Sequence, residues 1–417
     1  MSFAHDRHQR LFAILGGITA AIALTLAGAA TVSQPAAADD NTIVFGAALS
    51  ATGRDAREGA LTKQGYDFWK DYVNSQGGIK VGGKMYKVDI KYYDDASDPT
   101  TSAKLVERLI TQDNVKFILA PYGSTATYAA SAIVEKYQVP MVDPNGAAEK
   151  IFSQGFHYTF AILSPAKKYL VGILELAATM RPRPTTVAVL AANDVFSIEV
   201  ANGIRDYAKQ NGFNEVFYSE YPPDTKDVAT LLTQVKAKNP DIILGSGHLQ
   251  DSLLIMRAAK DQGVGSKIIG FSVGPSTPDF ITSLGPDSNG VMGGAQWTTT
   301  LNYTDALFGN AERYTRMFQD KYHILPDYHN AESTAACETF QFALAKAGSL
   351  DPAKVRDALA SLDIDTFYGK IKFDSRGVNI YKPMAVEQIQ NQKHETVWPA
   401  DAANAKPIFP LPPWGKR

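Results

Sequence analysis

Apolar strands alternate with amphipathic helices along this chain, and the alternation runs through two successive copies. In the first copy, Ile43 to Leu49 reads as a strand, and a helix from about Thr62 to Asn74 turns Phe68, Trp69, Tyr72 and Val73 inward. Lys84 to Tyr93 alternates as a second strand. Asp98 and Pro99 then cap and open a helix whose Leu105, Val106, Leu109 and Ile110 form one stripe. Val115 to Ala120 makes a third strand, followed by a helix opening at Ser124 and a short strand around Val139 to Val142. The rhythm restarts after Pro182-Arg183-Pro184, with strands at Thr186 to Leu190, Glu215 to Glu220, Asp241 to Gly245 and Lys267 to Phe271, and a helix in each gap. Such alternation predicts an α/β fold with a parallel sheet covered by helices on both faces. Two copies predict two doubly wound lobes.

The remainder of the chain does not begin a third lobe. Val291 to Thr298 reads as a strand, helices come next at about Asp305 to Tyr322, Asn330 to Ala347 and Pro352 to Leu359, and Lys370 to Phe373 and Met384 to Ile389 read as strands. The chain is therefore expected to return to complete lobe one and to cross again to finish lobe two, which makes a hinge. This gives residues 39–161 plus 293–370 for lobe one and 162–292 plus 371–398 for lobe two. The Pro- and Ala-rich stretch 399–417 is expected to be a tail that packs on the surface or stays mobile.

The first residues bear on where the protein works. Arg7 and Arg10 precede an apolar run from Leu11 to about Ala30, and Ala36-Ala37-Ala38 stands before Asp39 and Asp40. Residues 1–38 read as a secretory signal peptide cleaved after Ala38, which predicts a periplasmic protein. The run is almost long enough to anchor in a membrane, but its many small residues and the cleavage site favour removal. About 380 residues remain, too many for one core and suited to two. A formal charge of -2 offers no basic face for nucleic acid. The single cysteine, Cys337, cannot form an intrachain disulfide and reads as a small packing residue on a helix.

The strand ending at Ala120 runs through Pro121 and Tyr122 into Gly123-Ser124-Thr125, which opens a helix. The first amides of a helix lack intrahelical partners, and the macrodipole adds partial positive charge there. Gly123 lets a ligand approach the backbone, while the Ser124 hydroxyl either caps the helix or bonds an anion. No Gly-x-x-x-x-Gly-Lys pattern is present here, so a small carboxylate suits this turn better than a triphosphate. Competing chemistry is thin. The chain has no Gly-x-Ser-x-Gly elbow, no His-Glu-x-x-His and no Gly-x-Gly-x-x-Gly at a strand-to-helix turn. His323 and His329, six apart, suit neither a helical metal pair nor a zinc knuckle and read as surface residues. No catalytic residue, metal or cofactor is expected, and the chain reads as a monomer.

Several short motifs occur in a telling order: Phe45 to Ser50, Lys63-Gln64-Gly65, Asn74 to Ile79, Tyr93-Asp94-Asp95 with Asp98-Pro99, the Tyr122 to Thr125 turn and Pro140 to Pro144. Together they resemble the leucine/isoleucine/valine-binding family of periplasmic solute-binding proteins, the receptors of ABC importers. The resemblance implies a type I binding-protein fold, with two lobes joined by three crossovers and a ligand in the cleft. It also implies a membrane permease as partner and places a ligand carboxylate on Tyr122, Gly123 and Ser124. The segment after Pro144, where the family often has a threonine, holds Asn145, Gly146, Ala147 and Ala148. Two positions where tyrosine is common hold Phe196 and His248, and Val273 stands where an acid would meet a ligand ammonium. A buried ammonium without a counter-charge is costly. A non-amino acid, aromatic or oxo, is thus slightly favoured over a branched-chain amino acid or an amide- or urea-type ligand. Asp143, Asp194 and Asp251 are alternative acids, each also readable as a solvated loop or cap residue.

Overall fold

The computed structural model describes residues 41–417, so the signal-peptide segment lies outside the described residues. Strand β1 (Thr42–Leu49) is buried along most of its length, as its unbroken apolar run requires of a central parallel strand. It pairs in parallel with β3 (Lys84–Asp94) from Thr42 opposite Lys87 to Leu49 opposite Asp94. Strand β2 (Ile79–Val81) adds antiparallel to β3. On the other side lie β4 (Ile118–Leu119), β5 (Met141–Asp143) and β6 (Thr159–Ala161), giving the order β2-β3-β1-β4-β5-β6.

A second sheet holds β7 (Thr186–Ala192), β8 (Asn214–Tyr221), β9 (Ile242–Ser246), β10 (Ile268–Phe271) and β11 (Met292–Ala295). The hairpin of β12 (Asp363–Thr366) and β13 (Gly369–Lys372) stands apart from both sheets. Two late strands, β14 (Ala385–Gln390) and β15 (Lys393–Trp398), join antiparallel, so the second sheet runs β15-β14-β11-β10-β9-β7-β8. Because β11 belongs to this sheet, the chain leaves it at Gln296, a few residues later than the handover expected at 293. Ile371 of β13 is likewise buried with the first core, beyond the handover expected at 371.

The return to the first sheet is made by helices. Phe340, on the helix Tyr328–Ala347, meets Phe45 of β1 with ring centroids 5.4 Å apart, and Trp69 meets the same ring edge-on at 5.5 Å. Cys337 is buried in this helix, as its small neighbours require. The helix expected from Asp305 begins instead at Ala311. Asp305 is engaged elsewhere, its Oδ1 accepting from the amides of Leu307, Phe308 and Gly309 and so holding a loop.

Three crossovers connect the sheets, after β6, after β11 and after β13, and they are bonded to one another. Ser164 N donates to Gln296 Oε1 at 2.9 Å, and Gln296 Nε2 returns a bond to Ser164 O at 3.1 Å. The third crossover joins through Asn379 Nδ2, which donates to Ile162 O at 2.8 Å. The C-terminal stretch carries no regular element, yet it is fastened to the second lobe. Leu411 is buried there, and Trp414 Nε1 donates to Val264 O at 2.7 Å.

Candidate ligand site

Strand β4 ends at Leu119, shorter than the run Val115 to Ala120 suggests, and the chain turns through Pro121 and Tyr122 to Gly123. Gly123 has φ +80°, a conformation that a side chain would strain, and it occupies the cap position of the helix Ser124–Tyr137. Ser124 does not cap this helix. Its hydroxyl accepts from Ala148 N at 3.1 Å, tying the turn to the segment after β5. Ser124, Thr125 and Ala126, whose amides lack partners within the helix, border a cavity of about 240 Å3 that Arg54 and His248 also line.

The second lobe brings its own loop ends to this place. Asp194 caps the helix Val195–Gln210 by accepting from Ser197 N at 2.9 Å, which sets Phe196 in its first turn. Phe196 is buried edge-on to Tyr169, with centroids 4.9 Å apart. His248 precedes the helix Leu249–Asp261; its amide donates to Asp251 Oδ2 at 2.8 Å. Its ring Nδ1 lies 3.0 Å from the Tyr122 hydroxyl, and its Nε2 is 3.7 Å from Asp194.

Tyr122, Asn145, Phe196, His248 and Val273 share the wall of one small void of about 10 Å3. Tyr169, Tyr328 and Glu332 also line it, so the void is largely aromatic. Gly146 and Ala147 stand apart from it and border a different small void, with Leu163 and Pro165. Gly146 is confined by its own turn: its amide donates to Asp143 Oδ1 at 2.6 Å, and a Cβ there would meet Asp143 Oδ2 at 2.6 Å.

The acids are distributed differently from expectation. Asp194 is a cap, one of the roles expected for it. Asp143 is not solvated: it is fully buried, takes the amides of Asn145 and Gly146, and burial pushes its carboxyl up to about 7. Asp251 is likewise a cap residue, accepting from His248 N, and it is buried against Arg54, with Arg54 Nη2 at 2.7 Å. His329 is also not a surface residue. It is 1% exposed, stacked on Tyr328 at 4.1 Å, because the first turn of its helix is enclosed on all sides.

Sequence reasoning missed Arg54, Glu58 and Glu332. Glu58 is wholly buried, and its Oε1 accepts from Leu249 N of the opposite lobe at 3.1 Å. Burial raises the Glu58 carboxyl. It raises the Glu332 carboxyl well above its usual range, with the Asp327 charge adding and Lys382 opposing. The available signal was His329-Asn330-x-Glu332, polar residues set in a helix otherwise rich in small and apolar side chains. Asp55, Glu58 and His248 bring three possible metal-ligand atoms within 4.8 Å of one another, but Glu58 and His248 already make hydrogen bonds across the cleft.

The two sheets, the three crossovers and a cleft closed by loop ends of both lobes define a type I periplasmic binding protein. The match to the periplasmic binding protein family model spans residues 42–394, and the chain belongs to that family. A Leu/Ile/Val-binding protein homolog 8 from Brucella abortus is 26% identical over 96% of this chain and 100% of its own. A homolog 7 from Brucella suis is 27% identical over 93% and 97%. The substrate-binding protein LivJ of Streptococcus pneumoniae, solved with isoleucine, superposes with a TM-score of 0.76 at 22% identity, over 85% of this chain and 98% of that one. A solute-binding protein of Rhodopseudomonas palustris, solved with 3,4-dihydroxybenzoic acid, gives 0.75 at 17% identity, over 91% and 100%. Among the described residues no helix is long and apolar enough to cross a membrane.

Proposed function

We propose that this protein works in the periplasm, as a monomer released from its signal peptide, capturing a small carboxylate between its lobes and delivering it to a membrane permease. The observation that carries the reading is the Ser124 turn. Three amides without partners in their own helix border a cavity that also holds the Arg54 guanidinium, and both attract a carboxylate. The lobes open to admit the ligand and close over it, and the closed form is what the permease reads.

The ligand body meets Tyr169, Phe196, Tyr328 and Val273; the loop Gly270 to Gly274 offers no carboxylate, and burial holds Glu332, on the same wall, toward its neutral form. This supports an aromatic or oxo acid. Relatives of the same fold hold isoleucine in one case and a dihydroxybenzoic acid in another, so both ligand classes fit the architecture. A specific observation favours an amino acid as the alternative: Asp55 and Asp194 border the cavity beside the Ser124 turn, where either would face an ammonium.

Calorimetry with matched pairs separates the readings. Phenylpyruvate should bind about tenfold or more tightly than phenylalanine, and 4-methyl-2-oxopentanoate likewise against leucine. Tight leucine binding that Asp194→Asn abolishes would establish the amino acid receptor instead. Failure of every small carboxylate to bind would overturn the proposal.

A further inference from the structure

Tyr328 borders a second and larger cavity, of about 620 Å3, that none of Ser124, Phe196 or His248 reaches. This volume lies within the range of small-molecule sites. Its walls take Leu61 from one lobe, Ile281 from the other and Trp297 from a crossover, with Leu325 at its edge.

Buried polar atoms on its wall lack a hydrogen-bond partner among the described residues, among them His394 Nε2 and, on the acidic side, Asp327 Oδ2. Asp327 is 5% exposed, and its Oδ1 accepts from His329 N at 2.9 Å, capping the helix Tyr328–Ala347. Its Oδ2 is buried and accepts no hydrogen bond from them. A carboxylate oxygen can only accept, so what satisfies it must donate. Leaving it unsatisfied is costly, and a buried orphan of this kind calls for an explanation.

The charges around the cavity indicate the donor. Glu395 lines it with Asp327, Glu387 borders it with a carboxyl that burial raises to about 8, and Arg57 is taken by Asp279 at 2.8 Å. Lys393, exposed, and His394 are the other basic side chains on the wall. Trp297 and Tyr328 also border it, and aromatic rings near a site favour a cation. We propose that this cavity binds a small organic amine with an apolar or aromatic body, its ammonium on Asp327 and its body against Leu61, Trp297 and Tyr328. The site is independent of the carboxylate reading at the Ser124 turn.

Calorimetry with 2-phenylethylamine and tyramine tests it, with 2-phenylethanol as the uncharged counterpart. The amines should bind and the alcohol should not. Asp327→Asn keeps the oxygen that caps the helix and replaces the orphan oxygen with a donor, so it should weaken the amines by about tenfold or more. Ile281→Trp, which fills the cavity without touching Asp327, should also abolish binding and decides the matter if the first variant does not fold. Ser124→Ala should leave amine binding unchanged. No amine binding by the unaltered protein, equal binding of the alcohol, or amine binding that survives both cavity variants would overturn the proposal. Amine binding lost in Ser124→Ala would place it at the first site and overturn it as well.

Discussion

The Tyr122 hydroxyl lies 3.0 Å from Nδ1 of His248, so the turn that opens a helix of one lobe is hydrogen-bonded to the residue that opens a helix of the other. Both side chains border the cavity at the Ser124 turn and the aromatic void beyond it. The pair therefore closes the cleft and separates its two compartments. Tyr122→Phe removes one hydrogen bond from the closed form alone, and about 0.5–1.5 kcal/mol of closure should go with it. Solution scattering of the ligand-free protein should show a larger radius of gyration in the variant. An unchanged curve would mean that other cross-lobe contacts hold the cleft without this one.

Ser124→Ala tests the anion site. Its hydroxyl accepts from Ala148 N, so the variant loses some fold stability in any case. If the turn also grips a carboxylate, affinity should fall by about 1.5–3 kcal/mol, the range for a hydrogen bond to a charged group. A lower melting temperature with unaltered affinity would assign Ser124 a structural role only.

Arg54 and Asp251 form an ion pair across the cleft at 2.7 Å, and Arg54 also donates to Pro223 O at 3.1 Å. A double-mutant cycle on ligand affinity with Arg54→Met and Asp251→Asn should give a coupling of about 1 kcal/mol or more, because both groups are largely shielded from water. Additive effects would show that the pair contributes nothing to closure.

Asp143 makes stability depend on pH. Its carboxyl is held up to about 7 in the folded protein, against an ordinary value of 3.8. Between these values the unfolded chain has lost a proton that the folded chain keeps, so stability should fall as pH rises from about 4 to about 7 and then level off. At about 1.4 kcal/mol for each pH unit of displacement, the group accounts for a few kcal/mol. Denaturant melts of Asp143→Asn should show a shallower decline across that window. Parallel curves for the two proteins would mean that the carboxyl titrates normally.

The sequence was most legible where one period dominates. The run of β1 and the Asp98-Pro99 helix start come from apolar spacing and cap chemistry, and Asp98 does accept from Thr101 N at 2.7 Å. Ser124 stood out because the strand end and helix start around it are visible as a pattern, whereas Phe196 and His248 were named only through the family resemblance. Arg54, Glu58 and Glu332 were not found, since each sits inside a helix or ahead of one, and its partner lies far away along the chain. Arg54 meets Asp251 across 197 positions, and no local pattern announces such a pairing. His329 failed for a related reason: a helix enclosed on every side has no polar face by which to place its polar residues.

The interleaved course of the chain also governs when the protein can fold. The first core waits for Phe340, which packs on Phe45, and the second sheet waits for β14 and β15, which end at Trp398. A ribosome making this protein releases the strands of both lobes long before it releases the pieces that seal them. Neither half can therefore mature on its own behind the ribosome, as successive domains of other chains do. The same order of segments that builds the hinge thus keeps the emerging polypeptide unsealed until nearly all of it is present.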